Sequence, residues 1–213
     1  MLSFTHCIWD FNGTILDDVE TGILAVNTML RQRGLREIAG KEEYRKLFHF
    51  PVIDYYRSLG FDFEREPYEK LAPEWVTLYM HHVKHAAMFD DVIATLEYFR
   101  SCGVRQIILS ATEQEMLCEQ VDSLGIGHYF DEILGREDIH AGSKLSLATA
   151  WRERNPHAKA VFVGDTDHDV ETAGAMNASC FLIASGHQSI DHLRTTGAPV
   201  FSSLTEWRQT LDA

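Results

Sequence analysis

Basic residues are scarce in this chain. Lys and Arg number 19 against 32 Asp and Glu, a formal net charge of −13 over 213 residues. A field of that sign repels nucleic acid and anionic membrane, so neither is an expected partner. It also repels anionic substrates, so a phosphate site would need a local cation or a metal. Cysteine is sparse as well: Cys7, Cys102, Cys118 and Cys180, with no C-x-x-C pair. Three of the four lie in apolar runs or helical patterns, which suggests reduced, buried thiols. No apolar run is long enough to span a membrane, and no basic start leads into a signal-like apolar stretch. Cytoplasmic location is therefore the default expectation. Internal repeats and low-complexity segments are lacking, and no strand pattern is visible between Thr14 and Met88.

What is present is ordinary globular composition, 45% hydrophobic and 24% charged. The length fits one full domain with a modest insertion. An apolar run from Phe4 to Trp9 ends at Asp10, with Gly13 and Thr14 close behind. Such a run reads as a buried strand entering a turn. A carboxylate held there can attack an electrophile, bind a metal or cap the next helix.

Apolar spacing then predicts helices from Val19 to a stop at Gly34, from Lys41 to Phe48, and from Val52 to Leu59. A longer one, punctuated by Pro67 and Pro73, reaches roughly His85. Residues 18–87 therefore read as an all-helical insertion. From Asp90 the pattern alternates. Strands are expected at Gln106–Leu109, Phe130–Leu134, Ala160–Val163, Cys180–Ile183 and Pro199–Phe201. Helices are expected from Val92 to Phe99, Glu113 to Leu124, Lys144 to Arg154, Val170 to Met176 and Leu204 to Leu211. Short apolar strands alternating with helices predict an α/β fold: a doubly wound parallel sheet, Rossmann-like, covered on both faces. Its catalytic core would be residues 1–17 and 88–213, with 18–87 as a helical cap.

Ligands bind such sheets at the carboxyl ends of the strands. Three predicted strands end in reactive polar residues, Asp10, Ser110 and Asp165. Gly164-Asp165-Thr166-Asp167-His168-Asp169 crowds three acids together, which is costly unless a cation neutralises them. Hard oxygen donors favour Mg²⁺. Lys144 and Ser110 could hold phosphate oxygens, and Asp10 could be a nucleophile forming an acyl phosphate. The simpler readings are a helix cap for Asp10, a cap for Ser110, a surface residue for Lys144 and a solvated turn residue for Asp167. Asp17 and Asp18 read most simply as the cap of the first helix. His81 and His85 share a helical face but lack further zinc ligands. Gly186-His187-Gln188 reads as a turn with some chance of reaching the site.

The order Asp10-x-Asn12-Gly13-Thr14, then Ser110, then Lys144 after Gly142-Ser143, then Gly164-Asp165-x-x-x-Asp169 resembles the haloacid dehalogenase superfamily. The helical block between the first two motifs is similar to that family's helical-cap branch, and the layout looks most like phosphoglycolate phosphatase-like enzymes. The resemblance implies a phosphatase of a small phosphorylated metabolite, monomeric or homodimeric, with Asp10 as nucleophile. It implies Mg²⁺ held by Asp10, the main-chain carbonyl of Asn12 and Asp165, with Asp169 assisting. Thr14, Ser110, Ala111 and Lys144 form the expected substrate-binding set. Asn12 is a departure, because phosphatases of this family usually carry a second aspartate there as general acid and base. Asparagine cannot exchange a proton at neutral pH. Three accounts follow. The substrate has a good leaving group, such as an acyl or aryl phosphate; or His168 or His49 supplies the proton; or the protein is a slow enzyme or a phosphate-binding, regulatory one. A dehalogenase is a further alternative, disfavoured by the acid cluster. A phospho-accepting receiver is disfavoured by the helical insert.

Overall fold

The computed structural model describes residues 2–136 and 144–211. In chain order it runs β1 (His6–Trp9), β2 (Leu16–Asp17), α1 (Val19–Gln32), α2 (Lys41–Leu47), α3 (Val52–Ser58), α4 (Tyr68–His82), β3 (Ala87–Met88), α5 (Val92–Ser101), β4 (Arg105–Glu113) and α6 (Gln114–Ser123). Then follow β5 (Glu132–Arg136), α7 (Lys144–Arg154), β6 (Ala160–Gly164), α8 (Asp167–Ala175), β7 (Ser179–Ile183), α9 (Ile190–Arg194), β8 (Val200–Phe201) and α10 (Leu204–Leu211).

Six strands form one parallel sheet in the order β5-β4-β1-β6-β7-β8. The chain winds one way from β1 through β4 to β5, then returns to the other side of β1 with β6. The switch in direction lies between β1 and β6, where doubly wound sheets leave a crevice. Asp10 follows the last residue of β1, and its amide donates to the carbonyl of Val163 on β6 over 2.8 Å.

The period of two sorts the strands' side chains onto two faces. Cys7, Trp9, Ile108 and Val163 pack with Leu96, Phe99, Leu117 and Trp207 from α5, α6 and α10. Ile8, Ile107, Leu109 and Phe162 pack with Ala148, Trp151 and Ala173 from α7 and α8. Both faces are buried, so the strands are continuous apolar runs, as a buried parallel sheet requires. Helices α1–α4 gather around a cluster of their own, including Val26, Met29, Leu30, Tyr55, Tyr56 and Leu71. Arg33 staples that block, donating to both Glu66 and Glu74.

Several elements differ from the sequence expectation. β2 and β3 pair antiparallel inside the stretch where no strand was expected, and two residues each are too few to show a period. β4 runs past Ser110 to Glu113, with its register shifting between Leu109 and Glu113. β5 starts at Glu132 rather than Phe130. α8 starts at Asp167 rather than Val170, because Asp169 reaches back to the amide of Thr166 and closes the first turn. Asp167 is consequently a half-buried helical residue joined to Gln188 and His192, not a solvated turn. Cys102 is exposed rather than buried; Cys7 is buried and the other two are half-buried. Gly142 and Ser143 lie outside the described residues.

Candidate active site

The turn after β1 is tight. The carbonyl of Phe11 accepts from the amides of both Ile15 and Leu16 at 2.9 Å. Gly13 sits at φ +74°, and a Cβ there would collide with the Asp165 carboxylate. Gly186 faces the same carboxylate from the loop after β7, and a Cβ there would collide with it too. Only glycine permits both approaches.

Three buried acids meet above the switch point. One carboxylate oxygen from each of Asp10, Asp165 and Asp169 lies within 4.8 Å of the others. Nζ of Lys144, at the start of α7, donates to Asp10 and to Asp169, each at 2.5 Å. Lys144 is itself 5% exposed. Asp169 gives its other oxygen to the amides of Asp165 and Thr166 and to the Thr166 hydroxyl, at 2.9–3.0 Å. Asp165 accepts from the His187 amide at 2.6 Å and from the Thr14 hydroxyl at 3.3 Å. Burial pushes Asp10 up to about 6, aided by the charge of Asp169 and opposed by Lys144. Burial, together with the charges of Asp10 and Asp169, also raises Asp165 well above the usual carboxylate range. Lys144 rises despite burial, because its two carboxylates outweigh it. Three acids facing one lysine leave an excess of buried negative charge, and an all-oxygen donor set can hold a hard cation there.

A cavity of about 460 Å³ opens over this cluster. Asp10, Asn12, Ser110, Ala111, Lys144 and Asp165 all lie on its wall. Thr14 and Asp169 do not. Both are fully buried beneath it, and their contacts are with Asp165 and Lys144 respectively. The Ser110 hydroxyl donates to Thr112 Oγ1 over 3.1 Å. Ser110 caps no helix, because Glu113 takes that place and accepts from the amide of Met116. His168 stands at the wall with its ring 5.1 Å from that of Phe50. His49 is away from the wall, bonded to the carbonyl of Leu47.

The structure adds Asp18, Tyr44 and Tyr79, which sequence patterning missed, and brings His187 to the site from the turn the sequence had marked. Asp18 precedes α1 but makes no side-chain cap. It is 2% exposed and turns into the site, accepting from the Gly13 amide at 2.9 Å, Asn12 Nδ2 at 3.0 Å and the Tyr79 hydroxyl at 2.7 Å. Nε2 of His187 lies 3.2 Å from Oδ1 of Asp18, the oxygen that also accepts from Gly13, and Nδ1 lies 2.9 Å from the hydroxyl of Tyr44. Burial works against charge on His187, but Asp18 outweighs it and lifts the imidazole to about 9. Burial likewise opposes the charge on Asp18, and His187 leads the contacts that lower its pKa. Asn12 is bonded throughout: Nδ2 to Asp18 and to the Tyr79 hydroxyl at 2.7 Å, Oδ1 from the Thr112 hydroxyl at 2.9 Å. Arg45 on α2 donates to the carbonyls of Ser185 and Gly186, tying the helical block to the loop that carries His187.

The sequence profile of the haloacid dehalogenase-like hydrolases matches residues 7–183. The chain belongs to that family. Among curated proteins, it is 26% identical to a phosphoglycolate phosphatase from Pseudomonas savastanoi pv. phaseolicola. The match covers 84% of this chain and 69% of that one. It is also 26% identical to a phosphoglycolate phosphatase from Aquifex aeolicus, over 86% of each chain. A haloacid dehalogenase-like family hydrolase from Streptococcus pneumoniae superimposes with a TM-score of 0.80, over 98% of both chains, at 19% identity. At that identity the likeness shows the fold alone. No described helix is long and apolar enough to cross a membrane.

Proposed function

We propose that this protein is a Mg²⁺-dependent phosphatase of a small phosphorylated metabolite, working through a phosphoryl group carried on Asp10. The observation that carries the reading is the placement of Asp10. It stands at the end of the central strand, on the wall of a cavity, 2.5 Å from a buried lysine and beside Asp165. The relatives' names support the same reaction class.

The chemistry follows from the residues. Asp10 is fixed by Lys144 and by the sheet, so little orientation is left to lose when it attacks phosphorus. Lys144 and the Ser110 hydroxyl, with the Ala111 main chain beside them, would hold the phosphoryl oxygens. Thr14 would act from beneath, by fixing Asp165. Asp10, the main-chain carbonyl of Asn12 and Asp165 would hold Mg²⁺, with Asp169 assisting and keeping Lys144 in place. Bound there, the ion supplies Lewis-acid stabilisation of the charge that builds on the phosphoryl oxygens. Residues 18–87 would form a cap that closes over the substrate and excludes water, and residues 1–17 with 88–213 the catalytic core. Free cysteines fit a reducing, cytoplasmic setting.

A second reading is favoured by one observation. Asn12 stands where related phosphatases place a proton-exchanging acid, and both ends of its amide are occupied. A phosphate-binding or regulatory protein with little turnover would need no acid there. The two readings part in one assay set: acetyl phosphate and 4-nitrophenyl phosphate, each with Mg²⁺ and with EDTA, on wild type and Asp10→Asn. Phosphate release confined to wild type with Mg²⁺ is the expected result. Release in no wild-type assay overturns the phosphatase reading, and binding of phosphate analogues without turnover then supports the other.

A further inference from the structure

We infer that the cavity takes an aryl phosphate, a small molecule whose phosphoryl group is carried on a phenolic oxygen. The inference rests on the phosphatase reading and names the substrate class of that same site.

Three observations converge. The first is the leaving group that Asn12 permits. Its amide is held by Asp18, Tyr79 and Thr112, and it has no proton to give. Of the wall imidazoles, His168 is held by Glu171 at 3.2 Å and His187 by Asp18 and Tyr44, so an oxygen departing over Asn12 leaves as an anion. A phenolate does so at a conjugate-acid pKa of about 10, the value of a tyrosine side chain. An alkoxide resembles hydroxide, a far stronger base and so a far poorer leaving group. The aryl oxygen departs without help, and the alkyl oxygen does not.

The second observation is what the helical block puts on the cavity wall: Tyr44, Phe48 and Phe50 on one run, Trp75, Val76 and Tyr79 on another. Tyr44 and Phe48 stack at 5.4 Å, Phe48 meets Phe50 edge-on at 5.4 Å, and Trp75 stacks on Tyr79 at 4.8 Å. Phe50 and Val76 are 38% and 40% exposed, among the few large apolar side chains left open to solvent. Exposed apolar side chains at a cavity mouth gain by covering with an apolar group. An aromatic ring also offers them the stacked and edge-to-face geometries they already use among themselves.

The third observation is the charge on that wall. The helical block contributes no cation to it among the described residues, and Asp18 is an acid. The described cations on the wall are Lys144, engaged by Asp10 and Asp169, His187, paired with Asp18, and Arg136, whose Nε donates to the Ala111 carbonyl. A small carboxylate-bearing leaving group such as glycolate finds no described cation on the helical side. A cavity of about 460 Å³ also exceeds what a two-carbon acid needs.

The reaction balances. An Asp10 oxygen bonds to phosphorus while the phosphorus–aryl oxygen bond breaks, and its electron pair leaves on the phenolate. Water then bonds to phosphorus, the phosphorus–Asp10 bond breaks, and its pair returns to the carboxylate. Both protons of that water stay on the released phosphate, so neither step needs a proton from Asn12.

The test separates ring recognition from leaving-group chemistry. Phenylphosphonate and methylphosphonate, neither of which can be hydrolysed, are titrated calorimetrically in Mg²⁺. Phenylphosphonate should bind at least about tenfold more tightly. Phe50→Ala, at a half-open position, and Trp75→Ala should each narrow that gap. For turnover, kcat/KM for phenyl phosphate should exceed that for benzyl phosphate, which keeps the ring but leaves as an alkoxide, by about 10²-fold or more. Asn12→Asp should shrink the ratio. Equal binding of the two phosphonates overturns the inference, and so does equal kcat/KM for the phenyl and benzyl esters. If acetyl phosphate is still hydrolysed with Mg²⁺, the phosphatase reading survives that failure. If acetyl phosphate is not hydrolysed, the phosphatase reading fails, and this inference falls with it.

Discussion

Nδ2 of Asn12 donates to Oδ2 of Asp18 over 3.0 Å, joining the turn after the central strand to the start of the helical block. Asp18 also receives Gly13, Tyr79 and His187. One buried carboxylate thus organises four donors from three parts of the chain. Asp18→Ala leaves all four without their acceptor. Breaking such a buried, paired charge costs about 3–5 kcal/mol. Urea unfolding at neutral pH should show a loss of that order, and Asp18→Asn should recover part of it.

The Asp18–His187 pair also predicts a pH dependence. Burial opposes the imidazolium, yet the carboxylate lifts His187 to about 9, above its unfolded value of about 6.5. The folded state therefore holds the extra proton. The pair's contribution is complete below about pH 6.5 and is lost as pH rises through about 9. In EDTA, the stability difference between wild type and His187→Gln should shrink between pH 6 and pH 10. A constant difference across that range would contradict the pairing.

Asn12→Asp places a second carboxylate against Asp18. Two acids so close share a proton. That raised pKa is what a general acid needs, so turnover of an alkyl phosphate should rise by about 10²-fold. The same crowding should lower thermal stability as pH rises above neutrality, read by calorimetry. Unchanged alkyl-phosphate turnover would remove the argument that position 12 limits the reaction.

Lys144→Met strands Asp10 and Asp169 as buried carboxylates without their cation. Activity on acetyl phosphate should fall by at least about 10²–10³-fold, the scale of losing one preorganised charge at the phosphoryl group. Unfolding experiments should show a loss of about 3–5 kcal/mol, reduced at low pH where the carboxylates protonate. Activity close to wild type would leave Lys144 a structural residue only.

Much of this was legible in the sequence because the central strands are apolar runs that stop at acids. His6–Trp9 and Ala160–Gly164 are adjacent in the sheet, which brings Asp10 and Asp165 together. The helices of residues 18–87 followed their apolar period. The Asp18 network was not legible, because an acid just before a helix reads as a cap whichever way its side chain turns. Tyr79 lies 61 residues from Asp18 and carries no local signal on α4. His187 was visible only as part of a glycine turn, and its reach depends on Gly186 lying against Asp165. The start of α8 was hidden because Asp167, His168 and Asp169 are polar, while the first turn is closed by Asp169 and not by apolar spacing. Trp75 and Phe50 lie far apart in the sequence, and only the tertiary structure puts them on one cavity.

The central claim is that Asp10 carries the phosphoryl group. With Asn12 unable to take a proton from water, loss of that group should be the slow step. An aryl phosphate should therefore release a burst of phenolate close to one per active site before the slower steady state. Acid quenching during that steady state, followed by peptide mass mapping, tests the claim most directly. The account predicts one phosphoryl group on the peptide that contains Asp10, present with Mg²⁺ and absent in Asp10→Asn. Steady turnover with that peptide unmodified, or with undiminished activity in Asp10→Asn, would contradict it.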